Sequence, residues 1–215
     1  LEGVAEGAKR AESEFGIISK YIMNGIRHLG AESVQKTAEE VLNNPHKCLV
    51  GFGLAGDELH FPPKLFTKTF DMLKEANFPI TVHAGEWDGP ERIRDAISLL
   101  HPTRLGHGVR SIEDQALVDQ IKELDIVLEI CPTSNIATKI YNSYDNHPVK
   151  KLFDQNVKIT VNSDDPPFFN ASIAGEYDVM KNLGLSDDEL KSLTTNAIEH
   201  AFCDENTKLK LLNKI

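Results

Sequence analysis

The chain has 215 residues, of which 40% are hydrophobic, and a formal net charge of -10 at pH 7. That length suits one domain with a substantial core, and the acidity argues against nucleic acid or an anionic membrane as partner. Three cysteines, Cys48, Cys131 and Cys203, form no C-x-x-C pair, so free thiols in a reducing cytoplasm are expected.

No signal peptide is visible at the start, and the opening Leu-Glu-Gly-Val-Ala-Glu-Gly-Ala reads as the middle of a helix. Residues 17–26 read as a strand and 31–42 as a helix. A strand follows over 48–54, then a helix over 62–77 with proline in its first turn, then a strand over 80–83. The helix over 90–100 sets Ile93, Ala96, Ile97 and Leu100 on one face. After a strand over 104–107, the spacing Ser111-Ile112-Glu113-Asp114 predicts a capped helix start. Strands over 126–130 and 157–161 flank a helix over 148–155. Beyond Pro167 only helices are predicted, one capped at Ser186-Asp187-Asp188-Glu189. No apolar run approaches the ~18 residues that a membrane span requires. With no linker, repeat or low-complexity tract, residues 1–215 read as a single domain.

Strands alternating with helical periods predict βα units and a parallel sheet. The residues just past the strands are polar at one strand after another: Gly56, His83 with Glu86, His107, the run Cys131-Pro132-Thr133-Ser134-Asn135, and Asp164-Asp165. Ionisable groups on so many strand ends favour a (β/α)8 barrel over an open doubly wound sheet, which gathers ligands mainly at one switch point. A closed barrel needs eight strands and about six are visible. The chain is therefore expected to supply strands three to eight and the C-terminal helices, with the first two strands upstream of Leu1.

A histidine and a carboxylate three residues apart can share a cavity, and a tandem Asp offers a metal ligand beside a hydrogen-bond acceptor. Plainer readings exist for each residue. His83 and His107 suit hydrogen-bonded core histidines, Glu86 a solvated loop carboxylate, and Asp164-Asp165 a loop cap. Gly56 suits a strand terminus.

Five ordered motifs resemble those of the adenosine deaminase family, in its bacterial form. They are Gly51-Phe52-Gly53-Leu54-Ala55-Gly56-Asp57-Glu58, Thr81-Val82-His83-Ala84-Gly85-Glu86, Leu105-Gly106-His107-Gly108-Val109, Cys131-Pro132-Thr133-Ser134-Asn135 and Val161-Asn162-Ser163-Asp164-Asp165-Pro166. Two departures accompany the match. Gly53 stands where many relatives carry aspartate, and the family's His-x-His pair has no counterpart, the nearby histidines being His28, His46 and His60. The resemblance implies zinc-dependent deamination of adenosine or 2'-deoxyadenosine to inosine and ammonia, in purine salvage. It implies His83 and Asp164 as ligands of one Zn2+, completed by two histidines of an upstream segment. Zinc brings the pKa of water down to about 7. Glu86 would protonate purine N1, which requires a carboxyl pKa raised by a dry pocket. His107, flanked by glycines that leave it open to approach, would orient the attacking hydroxide. The Gly56 N–H would meet the purine N3 edge, and Asp165 would accept from N7. Alternatives are a sister enzyme acting on adenine, and an inactive barrel fragment that only binds or assembles. Residues 1–215 alone are expected to be inactive.

Thr133, Ser134 and Asn135 read as a loop held by local hydrogen bonds. Trp87, Phe168 and Phe169 are expected to pack rather than form a lid. Lys150, Lys151 and the acidic tail helices read as solvated faces. Cys48, Phe70 and Met72 read as core.

Overall fold

Short aliphatic strands separated by amphipathic helices satisfy their backbone groups as a parallel sheet, since parallel pairing needs a crossover between neighbours. The computed structural model describes residues 2–215, and Leu1 lies outside them. Six strands, β1 (Tyr21–Ile26), β2 (Leu49–Ala55), β3 (Ile80–Ala84), β4 (Arg104–His107), β5 (Val127–Ile130) and β6 (Ile159–Val161), pair in sequence order. Every pairing is parallel. A doubly wound sheet reverses its order at a switch point, and none occurs among the described residues. The chain is thus six consecutive strands of a (β/α) barrel, as expected, with β1 and β6 at the sheet's two edges.

The helices are α1 (Glu2–Phe15), α2 (Ala31–Asn43), α3 (Thr67–Glu75), α4 (Pro90–Leu100), α5 (Gln115–Glu123), α6 (Pro132–Ala137), α7 (Val149–Asp154), α8 (Pro166–Phe169), α9 (Ile173–Asn182), α10 (Asp187–Glu199) and α11 (Glu205–Leu212). The core forms where α2, α3, α4 and α5 cover the sheet. Val34, Ala38 and Val41 of α2 and the predicted α4 face (Ile93, Ala96, Ile97, Leu100) are buried in it with Phe52, Val82, Leu105 and Leu128. The other face of the sheet carries polar side chains. Thr81 donates to Glu129 at 2.6 Å, and Arg104 Nε lies 2.9 Å from the same carboxylate. A Cβ on Gly53 would fall 1.9 Å from Asn24 Oδ1, so the Asn24 amide occupies that space. Among the described residues no helix is long and apolar enough to cross a membrane.

Several boundaries differ from expectation, each for a local reason. The first strand begins at Tyr21, where pairing with Leu49 begins, and Ile17 and Ile18 are exposed. The helix expected over 62–77 breaks at Phe66 (φ -112°, ψ 0°) into a 3-10 turn, Pro63–Leu65, and α3. Ser111 does not cap a helix. Val109–Glu113 is a 3-10 turn, and the Asp114 carboxylate caps α5 by accepting from the Ala116 and Leu117 N–H groups. Residues 132–137 form α6 rather than a loop. The capping box at Ser186 and Glu189 is present.

Phe70 is fully buried and meets Phe52 edge to face at a centroid distance of 6.0 Å. Phe70→Ala is expected to lower stability by about 3–5 kcal/mol, measured by urea unfolding of the intact protein. A loss below about 1 kcal/mol would show that this aromatic pair does not anchor the α3 layer.

Candidate functional site

At the C-terminal ends of the strands, the six predicted residues converge on one opening. A cavity of about 460 Å³ is lined by Gly56, His83, Glu86, His107, Asp164 and Asp165. A smaller one, about 320 Å³, shares His83, His107 and Asp164 with it and is also lined by Glu129 and Cys131. Backbone geometry delivers these groups. His107 (φ 62°) and Asp164 (φ 52°) both hold left-handed conformations, an uncommon state that clusters at functional sites and that histidine and aspartate tolerate better than most residues. Gly56 (φ 98°) turns the chain after β2, and a Cβ there would lie 3.0 Å from His28 Nδ1.

His107 is only 2% exposed, and the glycines beside it make room for its neighbours. A Cβ on Gly106 would lie 2.8 Å from His83 Nδ1, and one on Gly108 would lie 2.7 Å from Leu128 Cδ2. Gly106 therefore makes room for the His83 ring, which meets the His107 ring edge-on at 5.1 Å.

Glu86 sits 3.4 Å from His107 Nε2 and accepts a long bond from Asn135 Nδ2, also 3.4 Å. Its carboxyl is pushed up to about 7, chiefly by burial and then by the negative charges of Asp164 and Glu58. A carboxyl raised in this way can hold a proton near neutral pH. Asp164 Oδ2 accepts the Ser134 hydroxyl at 2.6 Å. Asp165 is exposed at the mouth.

Five residues outside the predicted set hold this arrangement. The buried Glu58 carboxylate accepts the backbone N–H groups of Gly85, Glu86, Trp87 and Asp88 at 2.5, 3.2, 3.0 and 3.4 Å. Fully buried Arg27 donates to the carbonyls of His83 (2.6 Å) and Phe61 (2.8 Å), fixing the end of β3. Ser134 and Asn135 reach the site from α6, and His147 Nε2 lies 3.1 Å from Asn135 Oδ1. Glu58, Ser134 and Asn135 stand inside runs conspicuous in the sequence. Nothing in the spacing of Arg27 or His147 marks either. Trp87 and Phe169 line the cavity, and Phe168 is 84% exposed, so the expectation that these rings pack is not met.

The donor chemistry fits a divalent metal. Atoms of His107, Cys131 and Asp164 come within 4.8 Å of one another, and His83 shares the smaller cavity with Asp164. Burial, and after it the surrounding carboxylates, hold the Cys131 thiol well above its ordinary pKa. The His83 imidazole and the Asp164 carboxylate offer nitrogen and oxygen donors, a pairing that suits zinc.

The sequence model described as adenosine deaminase matches residues 1–215. A curated relative from Sinorhizobium medicae, named adenine deaminase, is 44% identical over 213 residues, covering 99% of this chain and 66% of that protein. The chain thus spans just under two thirds of that relative's length. A crystal structure of adenine deaminase from Arthrobacter aurescens superposes with a TM-score of 0.92 at 28% identity, over 99% of this chain and 65% of that one. An amidohydrolase from B. ambifaria with bound Zn superposes at 0.90 and 25% identity, over 98% of this chain and 59% of that one.

Because the Glu86 pKa rises on folding from 4.5 to about 7, the folded state keeps a proton that the unfolded chain has released. Stability from this group is therefore lost as pH rises from about 4.5 to about 7. In metal-free protein, the unfolding free energy of Glu86→Gln is expected to gain on wild type across that window. Urea titrations at a series of pH values check this, and a constant difference would show that Glu86 titrates as an ordinary carboxylate.

Proposed function

We propose, because this chain belongs to the adenosine deaminase family, that it takes part in hydrolytic deamination of a 6-aminopurine, with adenine as the substrate. The observation that carries this reading is a carboxyl titrating near neutrality, Glu86, beside His107 and Asp164 in one cavity. The relatives named adenine deaminase favour the free base over the nucleoside that the motifs alone implied.

In this reading Glu86 gives its proton to N1 as water adds to C6, drawing ring electrons away from the attacked carbon. The C6–N bond then breaks. One water hydrogen leaves with the amine as ammonia and the other restores Glu86, so adenine and water give hypoxanthine and ammonia. His83 and Asp164 would hold one zinc ion, with two further donors outside residues 1–215. Zinc's Lewis acidity makes water a competent nucleophile at neutral pH. His107 orients that water. The Gly56 N–H meets the N3 edge, where the absence of a side chain permits close approach, and Asp165 accepts from N7.

Glu86→Gln in the intact protein is expected to keep one zinc per chain by metal analysis and to lower kcat on adenine by about 10²–10⁴-fold. Chelation should abolish turnover and zinc restore it. Activity within a few-fold of wild type would remove Glu86 from the donor role. Higher kcat/KM for adenosine than for adenine, followed by ultraviolet absorbance, would return the substrate to the nucleoside.

A further inference from the structure

We propose that His147 and Asn135 lock His107 into the tautomer that carries its proton on Nε2, which makes His107 a hydrogen-bond donor into the cavity rather than a base. The catalytic consequence rests on the deaminase reading above. The tautomer itself does not.

The assignment follows from one group that cannot be ambiguous. The backbone N–H of Val149 donates to His147 Nδ1 at 3.1 Å, so that nitrogen carries a lone pair. Burial pushes the His147 ring down to about 4, so it is neutral at working pH and its single proton sits on Nε2. That N–H points at Asn135 Oδ1, 3.1 Å away, which fixes which end of the amide is oxygen. The NH2 end can only donate. It faces His107 Nδ1 at 3.3 Å and Glu86 Oε1 at 3.4 Å. His107 Nδ1 therefore accepts, and the ring proton lies on Nε2, 3.4 Å from Glu86 Oε2 and 4.0 Å from Asp164 Oδ2.

Two properties follow. His107 has no lone pair on Nε2 to give a cation, which sets it apart from His83 although its ring is close to Asp164. Toward a water in the cavity it acts through its N–H, holding the oxygen by a lone pair while the other face attacks. A proton arriving on Nδ1 would meet the Asn135 NH2 group, so the ring is held in one state by its neighbour. His147 thus acts as a positioning residue two hydrogen bonds removed from the cavity.

Two-bond 15N–1H correlations of histidine rings in the zinc-loaded intact protein read the tautomer directly. The expected result is protonated Nε2 and bare Nδ1 on His107. Asn135→Asp replaces the N–H that faces Nδ1 with an acceptor. It is expected to move the proton to Nδ1 and lower kcat on adenine by about 10²-fold or more, with KM within a few-fold. His147→Ala should lower kcat, and His147→Gln, which retains an N–H for Asn135 Oδ1, should restore most of it. Protonated Nδ1 in the wild type overturns the proposal whether or not the variants fold. So does a reversed tautomer in Asn135→Asp with kcat unchanged. Protonated Nε2 in a protein that deaminates no purine would support the wiring and remove the substrate reading instead.

Discussion

The arrangement depends on one buried carboxylate. Glu58, in the loop after β2, collects four successive backbone N–H groups from the segment that follows β3. A buried anion is costly unless it is hydrogen-bonded, and an unpaired buried N–H is costly as well. Each deficit cancels the other only while residues 85–88 keep one conformation. Gly85 permits that turn with its φ of 77°. Glu86 is therefore delivered by a backbone that cannot easily relax. The same charge that fixes the position of Glu86 also helps raise its pKa, after burial and Asp164. Glu58 thus sets the geometry of Glu86 and contributes, as a lesser part, to its protonation state.

The opposite wall is built differently. There the side chains come from α6, which starts on Pro132 and receives the buried Glu176 carboxylate of α9 at its Thr133 N–H, 3.2 Å away. Ser134 then reaches Asp164 while Asn135 reaches Glu86 and His107. One helical turn thus ties the ends of β3, β4 and β6 together. Separate elements carry the reactive groups, and a short rigid piece sets the distances between them.

The strands and the convergence of His83, Glu86, His107 and Asp164 were legible in the sequence because they rest on local signals. Those are an aliphatic run, a helical period after it, and ionisable residues at the junction. α4 was readable for the same reason, since its buried face repeats at helical spacing and proline opens it. The supporting groups were not. Arg27 works through its long side chain upon the carbonyl of His83, 56 residues away, and Glu58 upon amides 27 to 30 residues away. Such contacts depend on register and crossover geometry, which no single-segment pattern encodes. Ser111 misled because it lies inside a 3-10 turn, and the helix waits for Asp114. The Thr133 run looked like a loop because its helix is only six residues long, too short for a period to emerge.

Gly106 has a reach beyond its size. It is opposite His83 in the β3–β4 register, and the imidazole lies across it where any Cβ would sit. Changing this residue to alanine adds a methyl group to a sheet interior and no charge, donor or acceptor. Yet the displaced object would be the His83 ring. A survey of tolerated substitutions would thus rank a residue with no functional group of its own beside the histidine it accommodates. In evolutionary terms the pair would be constrained as one unit, half of it written as the absence of a side chain.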